Sequence, residues 1–466
     1  MLLAVQFARF GPYHFTRLGS AVEALGQCGW SVSGLQTASS DATYGWNQGD
    51  QADLVTVFPG RVYEEIPATE MRRGVFAALD RLRPDAIAIA GWGFADARAC
   101  LDWCLRNKAR AILMSETRAA DGRRVWWKEW LKSRIVRRFH SALVGGRSHA
   151  DYLVRLGMNR ERIATGYDVV DNAHFSAGAE KWRREPRPSK EDCAFNGPRV
   201  EGRGIEDSQT EQPIGGDTHQ WHGQDPQAPF PSTLDVRPST PFFLASNRFV
   251  ERKNLARLID AYAGYVRSIQ HSAFSIQGRG DSGGISTSGW PLVLLGDGPL
   301  RADLIARCKT HGLAIAEGMP WQQLPTANCQ PSTISGTPTV FFPGFRQIEE
   351  LPQFYARAGC FVHPALEEPW GLVLNEAAAC RLPILAGDNV GAAEELVEDG
   401  VNGWIFDAQS VDSISETLKK MATLRPDARD HMGKESFRIL QERAPTKAFG
   451  EGLAKLLGVA RICRIG

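Results

Sequence analysis

The chain is predicted to be α/β, with two doubly wound, Rossmann-like domains of parallel sheet facing each other across a cleft. Three observations carry the prediction. Short, continuously apolar runs alternate with segments of helical period over 1–175 and again from 241, and continuously apolar strands are those covered by helices on both faces. The 466 residues suffice for two or three domains at roughly 100–200 residues each. Between the alternating regions lies 178–240, rich in Pro, Gly, Gln and charge and poor in aliphatic residues; it cannot bury enough to offset its ordering entropy.

In the first region, apolar runs at 1–8, 30–35, 53–58, 85–90, 109–115 and 141–144 read as strands, and helical periodicity marks 16–28, 71–82, 96–107 and 125–139. In the second, strands are expected at 242–246, 291–295, 339–342, 360–363 and 383–386, with helices at 254–266, 300–311, 351–358, 371–380 and 392–398. The expected division is a first domain at 1–177, a flexible linker or insertion at 178–240, a second domain at 241–440 and a helical tail at 441–466. Two stretches, 268–289 and 322–339, have loop composition and read as insertions in the second domain. With the linker they hold much of the excess in 46 glycines and 26 prolines.

Lys plus Arg total 54 against 53 for Asp plus Glu, so no global field draws the chain to nucleic acid, and any charged ligand is held locally. Nine cysteines, an odd number without a CxxC pair, disfavour a disulfide framework or zinc site and favour a reducing cytosol. The apolar start is too short for a signal-peptide core, and no run approaches the roughly 18 residues of a membrane span. A cytoplasmic protein is expected.

The most informative stretch is Glu367-Glu368-Pro369-Trp370-Gly371-Leu372-Val373-Leu374-Asn375-Glu376. A strand ends before it and a helix opens near Gly371. The free amides of Gly371 and Leu372 at that N-terminus suit a phosphate, which a side chain at 371 would hold off. Glu376, about 7 Å further along the axis, can accept two hydrogen bonds from a ribose diol. Glu368 points toward whatever hangs beyond the phosphate. Alternatively, both glutamates simply serve a helix start. In the turn after the strand at 242–246, Arg248 and Lys253 can converge on a diphosphate leaving group, or form a solvated basic turn.

Together with Leu294-Leu-Gly-Asp-Gly-Pro299 and Phe341-Phe-Pro-Gly344-Phe345, the Glu-x7-Glu spacing of Glu368 and Glu376 resembles that of retaining glycosyltransferases of family 4. The resemblance covers nearly all of 241–407 outside the insertions. It implies the GT-B fold and transfer of a sugar from a nucleotide-diphosphate sugar to a saccharide, lipid or small-molecule acceptor. It makes Arg248 and Lys253 the diphosphate clamp and Glu368 the partner of sugar hydroxyls. Gly371 and Leu372 then serve the distal phosphate, Glu376 the ribose, and Gly344, Phe345 and Arg346 the base. Retention without an evident nucleophile implies front-face attack. No Asp-x-Asp motif stands at a credible strand end, which fits a reaction with no metal and no cofactor beyond the co-substrate. A sugar-nucleotide epimerase and an inert nucleotide-sugar-binding protein are the alternatives.

The first region is less standard. Gly11-Pro12-Tyr13-His14 stands where GT-B enzymes bring a flexible loop to the cleft, so Gly11 and His14 are candidate acceptor or phosphate contacts, or His14 a surface residue beside a turn. Where the family often carries a sugar-contacting histidine, this chain has Ser115-Glu116, making Glu116 a candidate for the sugar or the acceptor's proton. His149 faces the expected cleft or caps its helix. The segment 166–172 resembles the close of the first domain and reads as a hinge. The aromatic and basic residues of 126–139 are either an interfacial face for peripheral contact with anionic lipid or a core stripe with snorkelling cations. The core is favoured because the aromatics are read as falling on more than one face. His219 with His222, and the run GRGDSGG at 278–284, are discounted as metal and phosphate sites.

Overall fold

The computed structural model describes residues 1–41, 54–184, 241–277, 289–323 and 338–459. Within them the chain forms two parallel sheets of seven strands each. The first contains β1 (Leu2–Phe7), β2 (Ser31–Ser40), β3 (Leu54–Val62), β4 (Ala86–Ala90), β5 (Arg110–Ser115), β6 (Ser141–Val144) and β7 (Ile163–Thr165), in the order β3-β2-β1-β4-β5-β6-β7. Its helices are α1 (Pro12–Gly26), α2 (Ala68–Leu82), α3 (Ala95–Asn107), α4 (Trp126–Val136) and α5 (Arg147–Arg155). The helix α6 (Asn172–Arg184) then leads out of this domain.

The second sheet contains β8 (Phe243–Ser246), β9 (Leu292–Leu295), β10 (Ala314–Glu317), β11 (Thr339–Gly344), β12 (Cys360–His363), β13 (Ile384–Gly387) and β14 (Gly403–Phe406), in the order β10-β11-β9-β8-β12-β13-β14. Around it pack α7 (Leu255–Gln277), α8 (Arg301–Thr310), α9 (Leu351–Arg357), α10 (Leu372–Ala379), α11 (Gly391–Leu396), α12 (Val411–Thr423) and α13 (Pro426–Arg443), before α14 (Ala448–Leu457). Strands such as β4 (AIAIA) and β9 (LVLL) are apolar throughout because each face meets helices.

The strand order reverses between β1 and β4 in one sheet and between β8 and β12 in the other. The crevice beyond the carboxyl ends at such a switch point is where open α/β sheets take ligands. The loop after β8 holds Arg248 and Lys253, and the loop after β12 holds Glu368 and Gly371, so two segments more than 100 residues apart border one crevice. The Gly296-Asp-Gly298 turn underlies the first loop. Both glycines have positive φ, and a Cβ on either would collide with the backbone of Asn247 or Phe249.

Several boundaries differ from expectation. Residue 177 does not end the first domain's helical run: α6 continues to Arg184, and Gly178 is there because Pro352 leaves no room for a Cβ. Phe175 and Ala179 of α6 are buried with Tyr355 and Cys380 in the second domain's core, where one large apolar side chain contributes about 1.5–3 kcal/mol. The expected insertion at 268–289 begins inside α7, because the helical spacing of Leu258, Tyr262, Val266 and Ile269 keeps an apolar face on the core. The boundary at 440 cuts α13, and α14 returns to the first domain, burying Phe449, Leu453 and Leu457 beside Leu18 and Leu25. The short strands β7, β10 and β14 escaped the apolar-run reading. The rest of the expected linker (185–240) and insertions (278–288 and 324–337), the end of the tail (460–466), the pair His219 and His222, and GRGDSGG lie outside the described residues. Among the described residues five cysteines are free and buried, whereas Cys28 is disulfide-bonded, a bond that the expectation of a reducing cytosol did not foresee.

Candidate active site in the interdomain cleft

Glu368 is the centre of the crevice. It is 8% exposed, and its backbone bridges to Val390. Its Oε2 accepts from the Lys253 ammonium, and its Oε1 lies 3.5 Å from Arg252. His363, at the end of β12, places Nε2 3.6 Å from the same carboxylate, beyond hydrogen-bond range, and neither of its buried ring nitrogens has a partner among the described residues. Burial pushes the Glu368 carboxyl up, but His363 and Lys253 outweigh it and hold it below the usual carboxylate range. An anion thus sits among cations at the place predicted for sugar hydroxyls. Arg248 is exposed at the same edge, and its charge is felt by Lys253.

Gly371 is the N-cap of α10 with φ 104°, a conformation suited to glycine. A Cβ there would meet Glu368 Cγ at 3.2 Å and Val390 Cγ1 at 3.3 Å. The first amides of α10, from Leu372, lack intrahelical partners by the geometry of any helix start, and they face the crevice end of the helix. The structure therefore brings Lys253, Glu368 and the Gly371 helix start together.

Glu376 is placed differently from expectation. It is 1% exposed, and both oxygens are engaged: Tyr355 donates to Oε2 at 2.7 Å, and Tyr13, from the first domain, donates to Oε1 at 2.8 Å. Burial raises its pKa despite these bonds. A ribose would have to replace at least Tyr13. At the end of β11 Gly344 has φ 85° with nothing within 4 Å of a Cβ placed there, and Phe345 is 45% exposed. Arg346 folds back, donating to Glu350 Oε1 at 3.1 Å and to the Pro343 carbonyl at 3.0 Å, so it serves the turn.

The first-domain candidates have structural partners. Gly11 is the N-cap of α1 and its segment is helical from Pro12, where a flexible loop was expected. His14 Nδ1 accepts from the Gly11 amide at 3.0 Å and its ring lies 4.1 Å from Phe7; burial, Arg17 and Arg9 push its pKa down to about 3. His149 is fully buried: Nδ1 accepts from Gly146, so Nε2 carries the proton and donates to the Pro369 carbonyl at 2.9 Å. It caps α5, the second of the two readings expected of it, and its other nitrogen is taken by a backbone carbonyl of the second domain. Glu116 lies beside Asp168, whose pKa burial and Glu116 together raise, and Arg17 donates to Asp168 at 3.0 Å. Residues 166–172, read as a hinge, thus carry a buried ion pair.

The core reading of 126–139 is overturned. Trp126 is 81% exposed, Trp127 48% and Trp130 51%, while Val136 is the buried residue of α4. At 100° per residue the three tryptophans fall within about 100° of arc, one face rather than several. Sequence reasoning also passed over Tyr13, Tyr355, Arg118 and His363. Tyr13 stood inside a quoted segment and His363 at a strand end, but nothing local marked Arg118 or Tyr355.

Residues 334–438 match the family model for glycosyl transferases group 1. Sucrose-phosphate synthase 4 of Arabidopsis thaliana is 40% identical over 86 residues, 18% of this chain and 8% of that protein. A GDP-mannose-dependent phosphatidylinositol monomannoside mannosyltransferase of Mycolicibacterium smegmatis is 34% identical over 123 residues, 25% of this chain and 31% of its own length. The chain thus spans well under half of either relative. Anabaena HepE, solved with UDP and glucose, superposes with TM-score 0.59 at 13% identity, over 98% of this chain and 99% of its own. The fold is GT-B. In GT-B terms the matched segment holds β12, α10 and the Glu-x7-Glu pair, and it ends within α13.

Proposed function

We propose that the protein is a retaining, metal-independent glycosyltransferase of the family 4 type that transfers a hexose from a nucleotide-diphosphate sugar. The observation that carries the reading is the convergence of Lys253 on Glu368 and the Gly371 helix start, the latter two inside the segment that matches a glycosyltransferase family. The diphosphate lies across Lys253, Arg248 and the first amides of α10, which stabilise its growing charge. Glu368, released from Lys253 as the diphosphate takes that cation, accepts hydrogen bonds from donor-sugar hydroxyls. Glu376 takes the ribose in place of Tyr13, and the base rests by Gly344 and Phe345. The anomeric C–O bond to the β-phosphate breaks as the acceptor oxygen bonds to the same face. The acceptor's proton passes to the departing phosphate oxygen, and Glu116 lies on the acceptor side.

The test is release of nucleoside diphosphate from UDP-, GDP- and ADP-sugars by wild type, Lys253→Ala and Glu368→Ala. Turnover by wild type that both variants lose supports the reading. Turnover unaffected by both changes, or tight nucleotide binding with none, sinks it.

The same proposal places the protein on the cytoplasmic side, docked on an anionic bilayer through α4. The arc holding Trp126, Trp130 and Trp127 also holds Arg134, which covers the Trp130 ring at 4.2 Å, and Leu131, 46% exposed, stands about 40° beyond it. Arg123, Arg137 and Arg138 extend it, Arg138 pairing with Asp102, whereas Glu129 turns inward to Lys132 and Tyr152. Indole rings flanked by cations suit the headgroup layer. Wild type is expected to sediment with vesicles containing phosphatidylglycerol and not with pure phosphatidylcholine, and the triple change of Trp126, Trp127 and Trp130 to Ser to release it. Equal sedimentation of wild type and triple variant overturns the surface assignment.

A further inference from the structure

Across the cleft from Glu368 lies Arg118, on the loop after β5 and 1% exposed. Its Nη2 donates to the Glu368 carbonyl at 2.9 Å, and to the carbonyl and side-chain oxygens of Asn389 at 2.9 and 3.1 Å. Nη1 donates to Glu394 at 3.1 Å and Nε to Asp121 at 3.1 Å. One residue on, His149 donates to the Pro369 carbonyl. The second domain holds the same stretch from its own side: Asn389 donates to the Leu366 carbonyl, Gly391 to that of Glu368 and Ala392 to that of Trp370. The Trp370 indole donates to Asn375, which in turn donates to the first domain's Asp168 carbonyl at 3.1 Å. The carbonyls of Glu368 and of the residue after it are thus gripped by the opposite domain.

We infer that Arg118, seconded by His149, is a positioning residue: it holds the loop that carries Glu368, so the second domain's sugar-facing carboxylate is set only when the first domain is docked. A guanidinium suits the task because its planar fork reaches two carbonyls and two carboxylates at once, which an ammonium cannot. The catalytic part of this inference rests on the transferase reading. The mechanical part does not.

The experiment compares full-length wild type, Arg118→Met and Arg118→Lys by hydrogen exchange of the 366–374 segment, and by hydrolysis of whichever of UDP-glucose, GDP-mannose and ADP-glucose wild type accepts. Exchange in 366–374 is expected to quicken about tenfold in Arg118→Met, with β1 to β5 unchanged. Hydrolysis should fall about tenfold or more in kcat with KM within about threefold, and Arg118→Lys should recover part of it. Combined with Glu368→Gln, Arg118→Met should cost less than about twofold further, since the two act through one carboxylate. Unchanged exchange, or full additivity with Glu368→Gln, overturns the inference. Quickened exchange in a protein that hydrolyses none of the three sugars upholds the grip and counts against the transferase reading alone. Because removing a buried cation strands Asp121 and can prevent folding, Gly391→Ala is the second approach. Its Cβ would meet the Pro369 carbonyl at 1.9 Å and Arg118 Nε at 3.3 Å, pushing the loop from the opposite side, and the same exchange signature is expected.

Discussion

The two lips of the cleft were built in different ways. The second-domain lip gathers its chemistry from two short segments, each directly following a strand, and Glu368, Gly371 and Glu376 belong to one of them. The first-domain lip draws single residues from the ends of β1, β5, β6 and β7: Tyr13, Glu116 with Arg118, His149 and Asp168. On the first lip most candidates already have structural partners, whereas on the second His363 has no hydrogen-bond partner among the described residues and Glu368 is anionic within a crevice. Under the proposed function, the contrast teaches that one lip meets a ligand while the other holds the first in place.

The largest effect that could break this contrast is at Glu368. Glu368→Ala is expected to lower turnover by about 10³-fold, roughly 4 kcal/mol of barrier, while UDP or GDP binding by calorimetry changes little, because the proposal assigns the carboxylate to the sugar and not to the nucleotide. Lys253→Ala should follow at about 10²-fold and, unlike Glu368→Ala, weaken nucleoside-diphosphate binding as well. An equal loss of binding in both would erase the distinction between sugar and phosphate contacts. Gly371→Ala combines a positive φ with neighbours at 3.2 and 3.3 Å, so a loss of about 1–3 kcal/mol in urea unfolding is expected. Tyr13→Phe is the smaller, inverse case. With one competing hydrogen bond removed from Glu376, nucleoside-diphosphate affinity should rise about two- to tenfold, and a loss of affinity would show that Tyr13 assists the ribose instead.

The smallest change in rate is expected at His14, where His14→Gln should leave kcat per folded molecule within about threefold. Its signature is in stability against pH. His14 is held neutral, with its folded-state pKa at about 3 against an ordinary 6.5, so below pH 6.5 the unfolded chain takes a proton that the native one refuses. Stability is therefore lost as pH falls from 6.5 toward 3, and His14→Gln should flatten the fall in urea midpoint between pH 7 and 5. An unchanged slope would remove His14 from the set of structural residues.

Much of the fold was legible because buried parallel strands are written as apolar runs. The exceptions have physical causes. β7, β10 and β14 are three or four residues long. α6 and α7 run past glycine and polar residues because tertiary packing, not composition, sets where they end. In the site, Glu368 and Gly371 could be placed relative to each other by the rise of a single helix start. The aromatic stripe of α4 failed as a core because its face was misjudged, although its angular positions were calculable. Residues such as Tyr355 and Arg118 carried no local signal at all.

The sequence by itself determined that there are two doubly wound units and that one segment carries a Glu-x7-Glu pair, since period and spacing are properties of neighbours along the chain. Only the tertiary structure decided that Tyr13 reaches Glu376, 363 residues away, and that Arg118 reaches the Glu368 carbonyl, 250 residues away. Such contacts depend on how the two sheets are docked, and the docking is set by α6 and α14 crossing between the domains to bury their apolar faces.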